Sequence, residues 1–201
     1  MSDEFDMSIE ILDPDDPAVD SPVVVGTAKG DHTRIKSHAI IELFGPDGEL
    51  KTSQRVDNLI TTAGDEYYAK RGAAAVSPSA PADVTKVDGM KLGTGATAAA
   101  KSGAGAALVT YKSVSNNPFD STFPDFIDLT GDTGWQIRYK TTWPAGDSTD
   151  AALTEAVIVN DATSDATSTA ANTKSRVVFT AINKTAADTL VITWLHTFNA
   201  A

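Results

Sequence analysis

The stretch WQIRYKTTW, residues 135–143, constrains this chain more than any other. Trp135, Ile137, Tyr139, Thr141 and Trp143 alternate with Gln136, Arg138, Lys140 and Thr142. A helix repeats its side-chain directions about every 3.6 residues, so a strict period of two marks a strand with one buried and one wet face. Such a strand cannot stand alone. Its backbone groups need sheet neighbours, and its apolar face needs a second layer.

Candidate neighbours are present. RIKSHAIIELF, the turn Gly45-Pro46-Asp47-Gly48 and ELKTSQRV read as a β-hairpin over 33–57. Proline presets φ there, and the glycine accepts a positive φ. LTEAVIV (153–159) is a further strand, and 174–182 with 189–198 form a terminal hairpin around Asn183-Lys184-Thr185. In the last strand Leu190, Ile192, Trp194, His196 and Phe198 share one face; Val191, Thr193, Leu195 and Thr197 share the other. Both faces are apolar or threonine-rich, which places this strand centrally in its sheet. GMKLGTGA (89–96) and ALVTYKSV (107–114) read as shorter strands.

One helix is expected, over 59–73, with Leu59, Ala63 and Tyr67 on one face. Thr61 or Thr62 caps its start, Lys70 and Arg71 suit its end, and Gly72 stops it. The segments 74–88, 97–107, 115–133 and 160–172 read as loops. The loop 115–133 carries Phe119, Phe123, Phe126 and Ile127 and therefore packs on something. The expected fold is mainly β: an antiparallel β-sandwich or jelly-roll-like domain with one short helix and an extended N-terminal arm.

Charge divides the chain at about residue 30. Residues 1–20 hold eight acids and no base, within a total charge of −11. Residues 1–30 read as an extended acidic arm punctuated by Pro14, Pro17 and Pro22, and 31–201 as the β-sandwich domain. Met7, Ile9, Ile11, Leu12, Val23, Val24 and Val25 are more apolar than a solvating tail requires and are the candidate partner-binding residues. Clustered carboxylates repel phosphates, which argues against direct nucleic-acid binding. The acidic start is unlike a secretory signal, and no apolar run approaches the roughly 20 residues of a membrane span. With no cysteine, disulfides and thiolate metal sites are excluded.

Chemistry-bearing patterns are sparse. His32, His38 and His196 show no metal-ligand spacing and read as packed or edge residues. Gly93-Thr94-Gly95 lacks the following Lys-Ser/Thr and helix of a phosphate loop and reads as a tight turn. Asp13-Pro14-Asp15-Asp16 lacks the glycine and closing glutamate of a calcium loop. Glu155 is the acid expected to be partly buried, satisfied by a neighbouring Arg or Lys. The Trp135, Tyr139 and Trp143 stripe reads as a core face, with a sugar-stacking platform as the rival reading. No catalytic, cofactor-binding or metal-binding residue is assigned, and no enzymatic activity is expected.

Four stretches carry a resemblance: LITTAGDEYYAKRGA (59–73), GMKLGTGATAAAKSG (89–103), LTEAVIVNDA (153–162) and RVVFTAINKTAADTLVITW (176–194). Their order and spacing resemble a family of tailed-phage virion structural proteins. In that family a helix leads to an LGTGTTA turn, a TEAGLFN-like strand and a closing hairpin. Val157 and Val159 stand where tail-fibre members often carry Gly-Leu-Phe or Gly-Leu-Tyr, and no long shaft sequence is present. The compact domain with an acidic arm looks more like a capsid decoration, or cement, protein. The resemblance then implies a virion protein assembled in the host cytoplasm. It would bind the major capsid protein, need no cofactor, and form a homo-oligomer, with a trimer as one form. A tail-associated fibre, collar or adaptor protein is the alternative, and a carbohydrate-binding module a further one.

Overall fold

The computed structural model describes residues 35–73, 85–129 and 134–199. The acidic arm, its seven candidate partner-binding residues and His32 lie outside the described residues.

Two five-stranded antiparallel sheets face each other. The first hairpin is β1 (Ile35–Phe44) and β2 (Leu50–Asp57), and Gly48 in its turn has φ 79°. β1 pairs with the last strand, β10 (Thr189–Asn199), from Ile35 opposite Phe198 to Phe44 opposite Thr189. β10 pairs in turn with β7 (Gly134–Trp143), which pairs with the edge strand β6 (Asp125–Asp128). β10 is thus central in the order β2-β1-β10-β7-β6, as its two apolar faces require.

The second sheet runs β3-β9-β8-β4-β5. It comprises β3 (Leu59–Ile60), β4 (Gly89–Gly93), β5 (Asn117–Pro118), β8 (Asp150–Val159) and β9 (Thr173–Lys184). Between the sheets, Ile41, Tyr139, Trp143, Ile192 and Trp194 of the first layer pack with Met90, Leu92, Ala156, Ile158 and Val177 of the second.

Four sequence expectations need correction. The helix α1 spans Thr62–Ala73, not 59–73, because Leu59 and Ile60 pair with Arg176 and Ser175 of β9. The buried Thr61 accepts the Gly64 N–H on its hydroxyl at 3.0 Å and so caps the helix. Residues 107–114 form no strand. Only Tyr111 bridges to Gly93, since the Val109 and Thr110 N–H groups donate to the Glu155 carboxylate. The loop 115–133 contains two short strands, β5 and β6. Finally, the aromatic stripe of β7 is split: Tyr139 and Trp143 are buried, whereas Trp135 is 52% exposed, at the strand's start.

The outer face of the second sheet is buried as well. Lys91, Glu155, Val157, Val159 and Arg176 are all fully covered. Val157 and Val159 form a second apolar cluster with Leu108 and Ala162, flanked by Tyr111. The valines that depart from the fibre signature therefore hold down the segment that crosses the sheet.

Candidate functional site

Glu155 sits on β8 with no exposure, and its partner is Arg176 of β9. The guanidinium donates through Nε and Nη2 to Oε2 at 3.1 and 2.7 Å. Oε1 accepts from the backbone N–H groups of Gly95, Val109 and Thr110 at 2.9, 3.1 and 2.9 Å. Arg176 also donates to the carbonyls of Gly105 and Thr97. One ion pair thereby ties the chain between 95 and 110 to the sheet at five backbone groups. Charge-assisted bonds of this kind are the strong ones, and a buried pair is tolerated only when its remaining donors and acceptors are met. Gly93 and Gly95 permit the approach: a Cβ on either would lie 2.5 Å from Glu155 Oε1. The Gly93-Thr94-Gly95 turn thus serves a carboxylate of the protein itself. No reactive nucleophile lies among these contacts, and the arrangement is an anchor.

Two more buried cations have similar roles. Lys91 donates to the Ala166 carbonyl at 3.0 Å and lies 3.1 Å from Asp161. Lys184 donates to the carbonyls of Pro144 and Asp188 and fastens the β9–β10 turn. Asp188 accepts from Thr185 and Lys51, which hold its carboxyl down at about 2.

His196, on the inner face of β10, is fully buried. Its Nδ1 shares a hydrogen bond with the Tyr68 hydroxyl, which in turn meets the Tyr139 hydroxyl at 3.0 Å. Burial pushes His196 down to about 3 and raises both tyrosines above their ordinary value. The chain of three is uncharged at neutral pH.

A pH dependence follows. The unfolded histidine takes up its proton near 6.5, whereas the folded one resists protonation until about 3. Its contribution to stability is complete above pH 6.5 and is lost as pH falls toward 3, by up to about 1.4 kcal/mol per pH unit. In urea titrations between pH 7 and 4.5, His196→Gln flattens this slope; an unchanged slope contradicts the assignment. His38, lowered by burial and by Arg55, adds a slope of the same sign that the variant retains.

Beside this chain lies an aromatic pocket of about 380 Å³. Tyr67 and Tyr68 of α1, Ile137 and Tyr139 of β7, Val87 and Pro124 form its walls. The two tyrosines of α1 meet edge to face at 5.2 Å. Arg71, one turn on from Tyr67, places its guanidinium 5.6 Å from that ring's centre. The exposed Lys86 completes the described lining. Next to it are Phe126, 67% exposed and opposite Ile137 in the β6–β7 register, and Trp135. This is a concave surface walled mainly by aromatic and aliphatic side chains, a form that recognition sites share.

A larger cleft of about 940 Å³ runs from the start of β1 past β2 and β3 to α1. Its charges have both signs: Lys36, Arg55 and Lys101 against Asp57 and Asp65. Lys101 pairs with Asp65 at 2.6 Å, and Ser37 and Asn58 of the lining are hydrogen-bonded to each other, with Asn58 donating on to Ser175. The walls of this cleft are polar and of mixed charge, and the smaller, more apolar pocket is the better candidate.

Sequence reasoning anticipated the burial and pairing of Glu155 but missed the pocket. Tyr67 was placed on the buried helix face, and nothing in the sequence brings Lys86 and Ile137 beside it. Among the described residues no group of three or more His, Asp or Glu side chains could hold a metal ion. Comparison of the chain with family models, curated proteins and solved structures gave no match.

Proposed function

We propose that this chain is a non-enzymatic virion structural protein, a capsid decoration protein that binds the outer shell and bridges capsid subunits through residues 1–30. One observation carries the reading. The four stretches that resemble phage virion proteins supply the framework of the fold: α1, β4 with its turn, β8, and the β9–β10 hairpin. Three of them meet at the Glu155–Arg176 anchor, to which Gly95, Glu155 and Arg176 each come from a different stretch.

A β-sandwich pinned by buried ion pairs is a rigid body on which an arm can act. An extended arm can add a strand to an exposed sheet edge of a partner, gaining main-chain hydrogen bonds and side-chain pockets. Many copies make weak individual contacts sufficient. Deleting residues 1–30 is expected to abolish co-sedimentation with capsids while circular dichroism keeps its β signature; undiminished occupancy rejects the arm's role. Counting copies per purified particle separates head from tail. Hundreds fit a shell protein, and a few to a few dozen fit the tail-associated alternative.

A further inference from the structure

Along one side of the sandwich, β2 at the edge of the first sheet lies beside β9 of the second. β3 pairs with β9 only at Leu59 with Arg176 and Ile60 with Ser175. Beyond Arg176 that edge of β9 has no strand neighbour among the described residues. Four positions further on, the β3 register would bring Arg55 opposite Thr180, but β2 has by then crossed to the first sheet. Gln54 spans the gap with its side chain. Its Nε2 donates to the Thr180 carbonyl and its Oε1 accepts the Thr180 N–H, both at 3.0 Å. One side-chain amide thus makes the two bonds that a neighbouring strand would make. β9 bulges at this point: Phe179, Thr180 and Ala181 stand where β8 supplies Thr154 alone.

The edge that Gln54 covers has a distinctive composition. Residues 177–183, Val-Val-Phe-Thr-Ala-Ile-Asn, contain no charge, proline or glycine. Six or seven such residues of high β-propensity are the pattern of segments that pair with copies of themselves. Other sheet edges are guarded by charge or by shortness. β6 carries Asp125 and Asp128 within its span, β2 carries Lys51, Arg55 and Asp57, and β3 and β5 are two residues long each. β9 has no guard of either kind between Arg176 and Lys184.

We infer that the β9 edge from Val177 to Asn183 is a latent pairing surface for a second copy of the chain, and that the Gln54 side chain keeps it shut. Two such edges fit each other antiparallel about a two-fold axis at Thr180. Val178 then faces the partner's Ile182, and Phe179 the partner's Ala181, with no like charges opposed. The same operation on β6 would set Asp125 against the partner's Asp128, which disfavours that edge. The surface is independent of the acidic arm and of the decoration reading.

The test is made on the full-length chain with Gln54→Ala, which frees the Thr180 N–H and carbonyl. Sedimentation equilibrium is expected to show self-association strengthened about tenfold over the unsubstituted chain, the worth of one or two released hydrogen bonds. Hydrogen exchange locates the contact: the Thr180 amide loses protection in dilute Gln54→Ala and regains it as concentration rises. Thr180 is exposed, so adding Thr180→Lys leaves the core alone and sets two ammonium groups against each other at the axis. This double variant is expected to return association to the unsubstituted level while melting within about 2 °C of Gln54→Ala, which separates pairing from unfolding. Association that is unchanged in Gln54→Ala, that persists in the double variant, or that leaves the Thr180 amide unprotected at every concentration overturns the inference.

Discussion

Replacing Arg176 by methionine is expected to lower the unfolding free energy by about 3–5 kcal/mol, the usual cost of removing one partner of a buried ion pair. The methionine fills much of the arginine's volume, so a cavity is a minor part of the loss. What remains is a Glu155 carboxylate in the interior without its cation, and the carbonyls of Thr97 and Gly105 without their donor. The double variant Glu155→Gln with Arg176→Met removes both charges and should recover part of the loss, since a neutral side chain does not need the cation. Urea unfolding supplies the free energies. Hydrogen exchange adds a local readout, in which the amides of Gly95, Val109 and Thr110 lose protection before the rest of the sheet. A cost below about 1 kcal/mol for Arg176→Met would mean that the segment is held by its apolar contacts alone.

The second large effect separates two tryptophans of one strand. Trp143 is 1% exposed, and its indole N–H donates to the Ser115 carbonyl at 2.8 Å. Truncation to alanine should cost about 3–5 kcal/mol, from the lost transfer energy and the cavity left behind. The Ser115 carbonyl is also deprived of its donor. Trp135→Ala, eight residues earlier on the same face, should change stability by less than about 1 kcal/mol. Thermal or urea unfolding of the two variants side by side decides the matter. Equal losses would contradict the burial difference between the two ends of β7.

The same strand shows what periodicity can convey. Alternation told correctly that odd positions of β7 share a face, because side-chain direction is a local property of extended backbone. How far the second layer extends over that face is a tertiary property, and Trp135 lies where the covering ends. The central position of β10 was legible for a related reason: a strand apolar on both faces must be covered on both. The segment 107–114 misled because its β-forming composition outweighs any local signal that its amides would be claimed by Glu155, more than 40 residues downstream. At the start of α1, the sequence offers Thr61 and Thr62 as caps, and it is Thr61 that accepts the Gly64 N–H. The turn before it is a strand only because β9 offers an edge there. The anchor itself was half visible. Glu155 in an apolar run demanded a cation, but which of the 16 bases would meet it depended on the β8–β9 register.

The register of β1 on β10 has a mechanical consequence. Ile35, where the described domain begins, lies opposite Phe198, near where it ends, and the two strands run antiparallel. A pull between these two points would act across the ladder and peel it open one bonded pair at a time. A pull between Ile35 and the far end of β10, at Thr189, would run along the ladder and load its ten paired positions together. If tension reaches the domain through its first strand, the resistance it meets depends on where the domain is held, and a grip distant from the chain's end is the stronger one.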